Sequence, residues 1–261
     1  METTIIPSEK IPAKNKKQDD KLPPYLPPAR GLTILQGSAG SGKSSLLYSM
    51  IREYQKTNYF DIIIVYNRCS DSDFVWRGFQ TKKTDVKIFN SYNNEELLDI
   101  IMNLDEEQQD RRRAKPEKRR LLNVLFVFDD MVYSGICSSY KQSALDELVI
   151  NRRHMNASIM ITSQSYKALN QNIRTNNVSQ MIVLRANARD LINIGEEHNA
   201  GVCNVEDFIG MYNFCKGFGN YEYLVVDYRK PQDKMFSRGF KTTLKPTTGR
   251  KASRLPVEEA E

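Results

Sequence analysis

The chain has 261 residues, 40% of them hydrophobic, and its 38 Lys and Arg against 32 Asp and Glu leave a formal net charge of +6. That length and apolar content suit one sizeable core, and the charge is compatible with a polyanionic partner without demanding one. No apolar run approaches the ~20 residues that cross a bilayer, no basic start followed by an apolar block marks a signal peptide, and the cysteines at 69, 137, 203 and 215 form neither a CxxC pair nor a His-containing metal spacing. They read as thiols in a reducing compartment, so the expectation is a soluble protein that works inside a cell.

Residues 1–28 are polar and Pro-rich, which predicts a flexible arm, and residues 231–261 read as a flexible tail in the same way. Between them, over residues 29–230, lie seven short apolar runs: GLTILQG (31–37), DIIIVYN (61–67), VKIFN (86–90), NVLFVFDD (123–130), SIMITSQ (158–164), SQMIVLRA (179–186) and YEYLVVDY (221–228). They are apolar on both faces, as strands covered on both sides are. The stretches between them are long enough for crossover helices. SSLLYSMIREYQ, NNEELLDIIMNLDEEQQDRRR with Asn93 or Asn94 as its cap, SYKQSALDELVINRR and NARDLINIGEEH carry helical spacing. The predicted fold class is α/β, in three layers around a mainly parallel sheet. Residues 103–120 run from an acidic block to a basic one, and Pro116 ends any helix there.

The first strand leads into Gly37-Ser38-Ala39-Gly40-Ser41-Gly42-Lys43-Ser44, which fits G-x-x-x-x-G-K-[ST] at every fixed position, with Ser45 next in the helix that follows. This is a P-loop in the right context. The glycines let backbone N–H groups converge on phosphate oxygens, the helix N-terminus favours the anion, Lys43 reaches the β- and γ-phosphates, and Ser44 ligates Mg²⁺. The expected ligands are therefore ATP and Mg²⁺. NVLFVFDD is a buried strand ending in two carboxylates. Asp129 suits the metal, and Asp130 suits a general base acting on water. Gln164 would end the strand beside it. An amide there can bond both a phosphate oxygen and the attacking water. Arg152 and Arg153 precede that strand, at the end away from their own nucleotide. They are either surface cations at a helix end or arginines offered to a neighbouring subunit's ATP.

The order GSAGSGKS, FVFDD, NRRHMNASIMITSQ and LNQNIRTNNVSQMIVLRA resembles the FtsK–HerA superfamily of DNA-pumping ATPases, and within it the poxvirus-type genome-packaging branch. The resemblance covers roughly residues 30–228. It implies a P-loop core with the two Walker strands separated in the sheet. It also implies a homo-oligomeric ring, hexameric or pentameric, around double-stranded DNA held by its phosphate backbone, a capsid or portal-vertex partner, and a place at the virus assembly site of an infected cell or in the particle. The branch usually has Gly-Arg-His before the Gln strand. The match puts Arg153 at the arginine-finger position and Arg152 where glycine is usual, and the NIRTN block makes Arg174 a second candidate. Residues 133–141 with Lys141, and the run Arg111 to Arg120, are candidates for DNA contact. Alternatives are a HerA-like translocase or helicase of the same fold, a small-molecule kinase, and a scaffold that binds ATP only to assemble. The intact set Lys43, Asp129, Asp130 and Gln164 speaks against the last.

Overall fold

The computed structural model describes residues 13–69, 73–115, 119–131, 143–246 and 257–258. Seven strands fall where the apolar runs predict them: β1 Leu32–Gln36, β2 Ile62–Asn67, β3 Asp85–Phe89, β4 Val124–Asp129, β5 Ala157–Ser163, β6 Gln180–Val183 and β7 Leu224–Asp227. Three more follow, β8 Phe236–Arg238, β9 Thr242–Leu244 and the two-residue β10 Val257–Glu258. All ten form one sheet in the order β10-β9-β8-β7-β6-β1-β5-β4-β2-β3. From β3 to β6 every pairing is parallel, whereas β7 to β10 are added antiparallel. Strand β5 therefore separates β1 from β4.

The two-sided apolar character of the runs becomes two cores, one on each face of the sheet. Along β4, Val124, Phe126 and Phe128 enter one core while Leu125 and Val127 enter the other. Helix α2 (Lys43–Lys56) and the short α3 (Asp73–Arg77), with Trp76 fully buried, cover one face. Helices α4 (Asn94–Arg113), α5 (Ala144–Asn151), α6 (Ala188–His198) and α7 (Val205–Lys216) cover the other. Their starts are fixed by short polar side chains. Asn93 accepts from the amides of Glu95 and Glu96, Ser143 and Asp146 form a capping box, and Asn187 and Asn204 cap α6 and α7. Helix α4 ends at Arg113, before Pro116, and its acidic and basic blocks meet as Glu107–Arg111 and Asp110–Arg113 pairs along one helix.

The described parts of both terminal segments, residues 13–28 and 231–246, depart from the expectation of flexible arms. Residues Ala13–Asp19 form a helix, α1, and Asn15 in it is fully buried. Its side-chain amide donates to Leu121 O and Asn123 Oδ1, each at 3.0 Å, and its oxygen accepts from Leu121 N. Leu26 and Ala29 are buried in the α2-side core. A polar side chain that saturates backbone groups anchors a segment without any apolar periodicity. At the other end, Phe236 is fully buried and packs edge-on against Phe208 at 6.3 Å. Strands of three residues are too short to produce a readable pattern, yet they extend the sheet. Helix α7 was also not foreseen.

If β8 belongs to the folded domain, Phe236→Ala costs about 3–5 kcal/mol, the usual loss for a buried phenylalanine. The urea unfolding midpoint is the readout, and an unchanged midpoint would return residues 231–246 to the status of a tail.

Candidate active site

Because β1, β4, β5 and β6 run parallel, their C-terminal ends lie on one edge of the sheet. Residues distant in sequence are thereby gathered there: Gly37 to Ser44 after β1, Asp129 and Asp130 at the end of β4, Gln164 after β5, and Arg185 after β6.

The loop from Gly37 to Gly42 is held on both flanks. Gly37 N donates to Ser163 O and Ser38 N to Arg185 O. Gly40 and Gly42 have φ of 68° and 92°, left-handed backbone that a side chain would strain. Helix α2 starts straight after Gly42 with no side-chain cap. Its first-turn N–H groups thus lack the partner that Asn or Ser supplies at α4 to α7, and an anion is the natural substitute. Lys43 is buried and donates to Gly37 O at 2.7 Å and Ser38 O at 3.0 Å. Burial lowers its pKa, and the carboxylates of Asp130 and Asp129 pull the other way.

One hydroxyl ties the Asp129 carboxylate to the backbone of Asp130. Thr162 Oγ1 donates to Asp129 Oδ1 at 2.7 Å and accepts from Asp130 N at 2.9 Å. The pairing of Phe128 with Ile161 brings Thr162 opposite Asp129. Ser44 Oγ also donates to Asp129 Oδ1, at 3.2 Å. A hydroxyl and a carboxylate that converge like this are hard oxygen donors, the type Mg²⁺ takes together with substrate phosphates, so this pair fits the ion. Burial raises the Asp129 pKa against the lowering effect of Thr162 and Ser44. Asp130 turns out of the strand at φ 55°, a left-handed conformation that Asp tolerates better than most residues. The turn exposes its carboxylate, and Gln164 Nε2 donates to both oxygens at 2.9 Å.

The arginines separate. Arg152 is 3% exposed, and its guanidinium donates to Arg30 O, Val149 O, and both Oδ1 and O of Asn177. Burial brings its pKa down to about 10. It is tied inside its own chain and is not available to another molecule. Arg174 is likewise engaged, bonded to Leu169 O and to Glu197 and lying over the Tyr166 ring. Arg153 is exposed, at the edge of the sheet opposite the P-loop. Of the other basic candidates, Arg120 is paired with Asp61 at 2.8 Å, whereas Lys141 and residues 133–141 lie outside the described residues. Two residues at the site escaped the sequence reading. Thr162 has no signature until the strand register is known. Arg185, exposed, donates to Ser38 Oγ at 2.8 Å and Ala39 O at 2.6 Å; its only sequence signal is a cation just after an apolar run.

The family model of the poxvirus A32 protein matches residues 30–227. A search of curated proteins finds no match. Among solved structures, the DNA-packaging ATPase B204 from Sulfolobus turreted icosahedral virus aligns with a TM-score of 0.56 at 15% identity, over 80% of this chain and 97% of that one. The genome packaging NTPase B204 from Sulfolobus turreted icosahedral virus 2, in complex with AMP, gives 0.53 at 16% identity, over 76% and 93%. The cytoplasmic domain of the Thermomonospora curvata type VII secretion ATPase EccC gives 0.53 at 14% identity, over 87% of this chain and 27% of that one. At these identities the likeness is one of fold.

The raised pKa of Asp129 makes a stability prediction. Its folded form holds a proton more tightly than the unfolded chain, so its contribution is present below the unfolded value and is lost as pH rises through the folded one. Asp129→Asn keeps both hydrogen bonds without the charge. It should raise the melting temperature of the ligand-free protein at pH 7, with the gain disappearing at acid pH. A lower melting temperature at pH 7 would contradict the desolvated-carboxylate reading.

Proposed function

The chain belongs to the poxvirus A32 protein family, and we propose that it is a viral DNA-packaging ATPase, hydrolysing ATP to move double-stranded DNA into a preformed capsid. The observation that carries this reading is the continuous set Ser44–Asp129–Thr162–Asp130–Gln164, closed around the mouth of a P-loop. The P-loop amides and Lys43 hold the triphosphate. Ser44 and Asp129 would hold Mg²⁺, and the ion would offset the charge of the triphosphate. Asp130 accepts the proton of the attacking water. Gln164, whose Nε2 donates to both Asp130 oxygens, is an amide that can also bond the attacking water or the γ-phosphate. The amide thus links the state of the nucleotide to strand β5, and through β5 to the opposite edge of the sheet.

At that opposite edge stands Arg153. In a closed ring of identical subunits it faces a neighbour's ATP and stabilises the charge of the transferring phosphoryl group. A kinase would need no such exposed arginine. A motor that must advance along any sequence grips the DNA backbone, so its affinity falls with salt. The capsid vertex is the partner that gives this movement a direction.

The first test is ATP turnover with and without long duplex DNA at low and moderate salt. Stimulation that fades as salt rises is expected. Asp130→Asn should bind ATP with little change while turnover falls by about 10²–10⁴, the range for loss of a general base. Turnover that ignores DNA would remove the translocase reading, and an active Asp130→Asn would remove the base assignment.

A second experiment addresses the ring. Arg153→Ala should keep its melting temperature, lose turnover, and regain part of it when mixed with Asp130→Asn, since one subunit then supplies the arginine and the other the base. Absence of recovery at every mixing ratio would exclude an arginine acting between subunits.

A further inference from the structure

A triphosphate on the P-loop has two ends. Asp129, Asp130 and Gln164 stand on the β4–β5 side of β1, so the γ-phosphate points there. The nucleoside end must leave on the other side, over β6 and β7. Strand β7 is antiparallel to β6, with Leu224 opposite Val183, so the turn before β7 lies on the same edge as the P-loop. That turn carries Tyr221, whose ring rests on the loop: a Cβ added at Gly42 would lie 3.3 Å from Tyr221 Cδ1. The side chain is nevertheless 71% exposed.

The turn is well held. Lys216 at the end of α7 donates to Asn220 O and Glu222 O, and Arg238 of β8 stacks on Phe218 with 3.7 Å to the ring centroid. Beside it opens a cavity of about 550 Å³, walled by Leu46 and Met50 on the first turns of α2, by Tyr223, and by Arg238 and Phe240 of the β8–β9 hairpin. Tyr25 stacks on Phe240 at 4.9 Å and Tyr223 meets it edge-on at 5.6 Å. The cavity is aromatic and large enough for a nucleoside, and it begins one turn along α2 from Lys43.

We propose that Tyr221 is the nucleobase platform of this site, the nucleoside half of the nucleotide stacking on its open face at the mouth of the cavity between α2 and the β8–β9 hairpin. A single exposed aromatic is ordinary on a protein surface. This one differs in that its Cδ1 and Cε1 lie close to Gly42 of the phosphate loop while the residue stays largely exposed, and the next two residues, Glu222 and Tyr223, line an aromatic cavity. Stacking on a ring face discriminates poorly among bases, so Tyr221 supplies affinity for ATP and GTP alike.

The inference rests on the nucleotide-site reading, and tripolyphosphate separates the two because it has phosphates and no base. In calorimetry with Mg²⁺, Tyr221→Ala should bind ATP about tenfold or more weakly, the loss expected of a base–aromatic stack, and should bind tripolyphosphate as the wild type does. Tyr221→Phe should bind ATP normally. In a Tyr221→Trp variant, ATP should quench the new indole fluorescence and tripolyphosphate should not; the native Trp76 is buried and gives a constant background. ATP binding unchanged in Tyr221→Ala overturns the platform and leaves the P-loop site intact. Equal loss of ATP and tripolyphosphate makes Tyr221 a support of the loop and also overturns it. A wild type that binds neither ligand removes both readings.

Discussion

Strand β5 is the member on which the site depends. It pairs in parallel with β1 on one side and with β4 on the other, so the phosphate loop and the carboxylate pair are each one strand away from it. Its last residues then complete both halves. Ser163 O receives the amide of Gly37, Thr162 joins Asp129 to the backbone of Asp130, and Gln164 covers the Asp130 carboxylate. A slip of β5 by one residue would turn Thr162 away and break three contacts together, because side chains alternate faces along a strand. Two apolar cores, one on each face, oppose that slip.

The charged groups of the site bond mainly to neutral partners within the chain. Lys43 is desolvated and rests on neutral carbonyls, as Arg185 rests on Ala39 O and Ser38 Oγ. Asp129 is desolvated with hydroxyls as its direct partners, and its burial works against its charge. Each of these groups would gain more from a charged partner than it gains here. A nucleotide with its metal ion would supply a phosphate to the cations and a cation to the carboxylates at once.

Much of this was legible in the sequence, and the rest was hidden for identifiable reasons. Strands buried on both faces leave continuous apolar runs, so β1 to β7 could be read directly. The P-loop and the paired aspartates have fixed spacing and could be numbered. Thr162 could not be assigned, since its role is created by pairing with a strand over thirty residues away. The arginines at 152 and 153 looked equivalent because burial is a tertiary property; one is enclosed by Arg30, Val149 and Asn177, and its neighbour is not. Helix α1 was missed because Asn15 contributes hydrogen bonds and not apolar area, and β8 and β9 because three residues carry no period.

The enclosure of Arg152 has a consequence for Arg153. Four hydrogen bonds fix the Arg152 side chain, and its carbonyl accepts from Ala157 N at 2.9 Å, closing the turn that carries both residues. The backbone under Arg153 is therefore already ordered in the isolated chain. A partner that takes hold of its guanidinium has only side-chain rotamers to freeze, at about 2 kcal/mol, and no loop to organise. Preorganisation of this kind lowers the ordering cost of any contact that Arg153 makes, so more of the gross interaction energy is left as affinity.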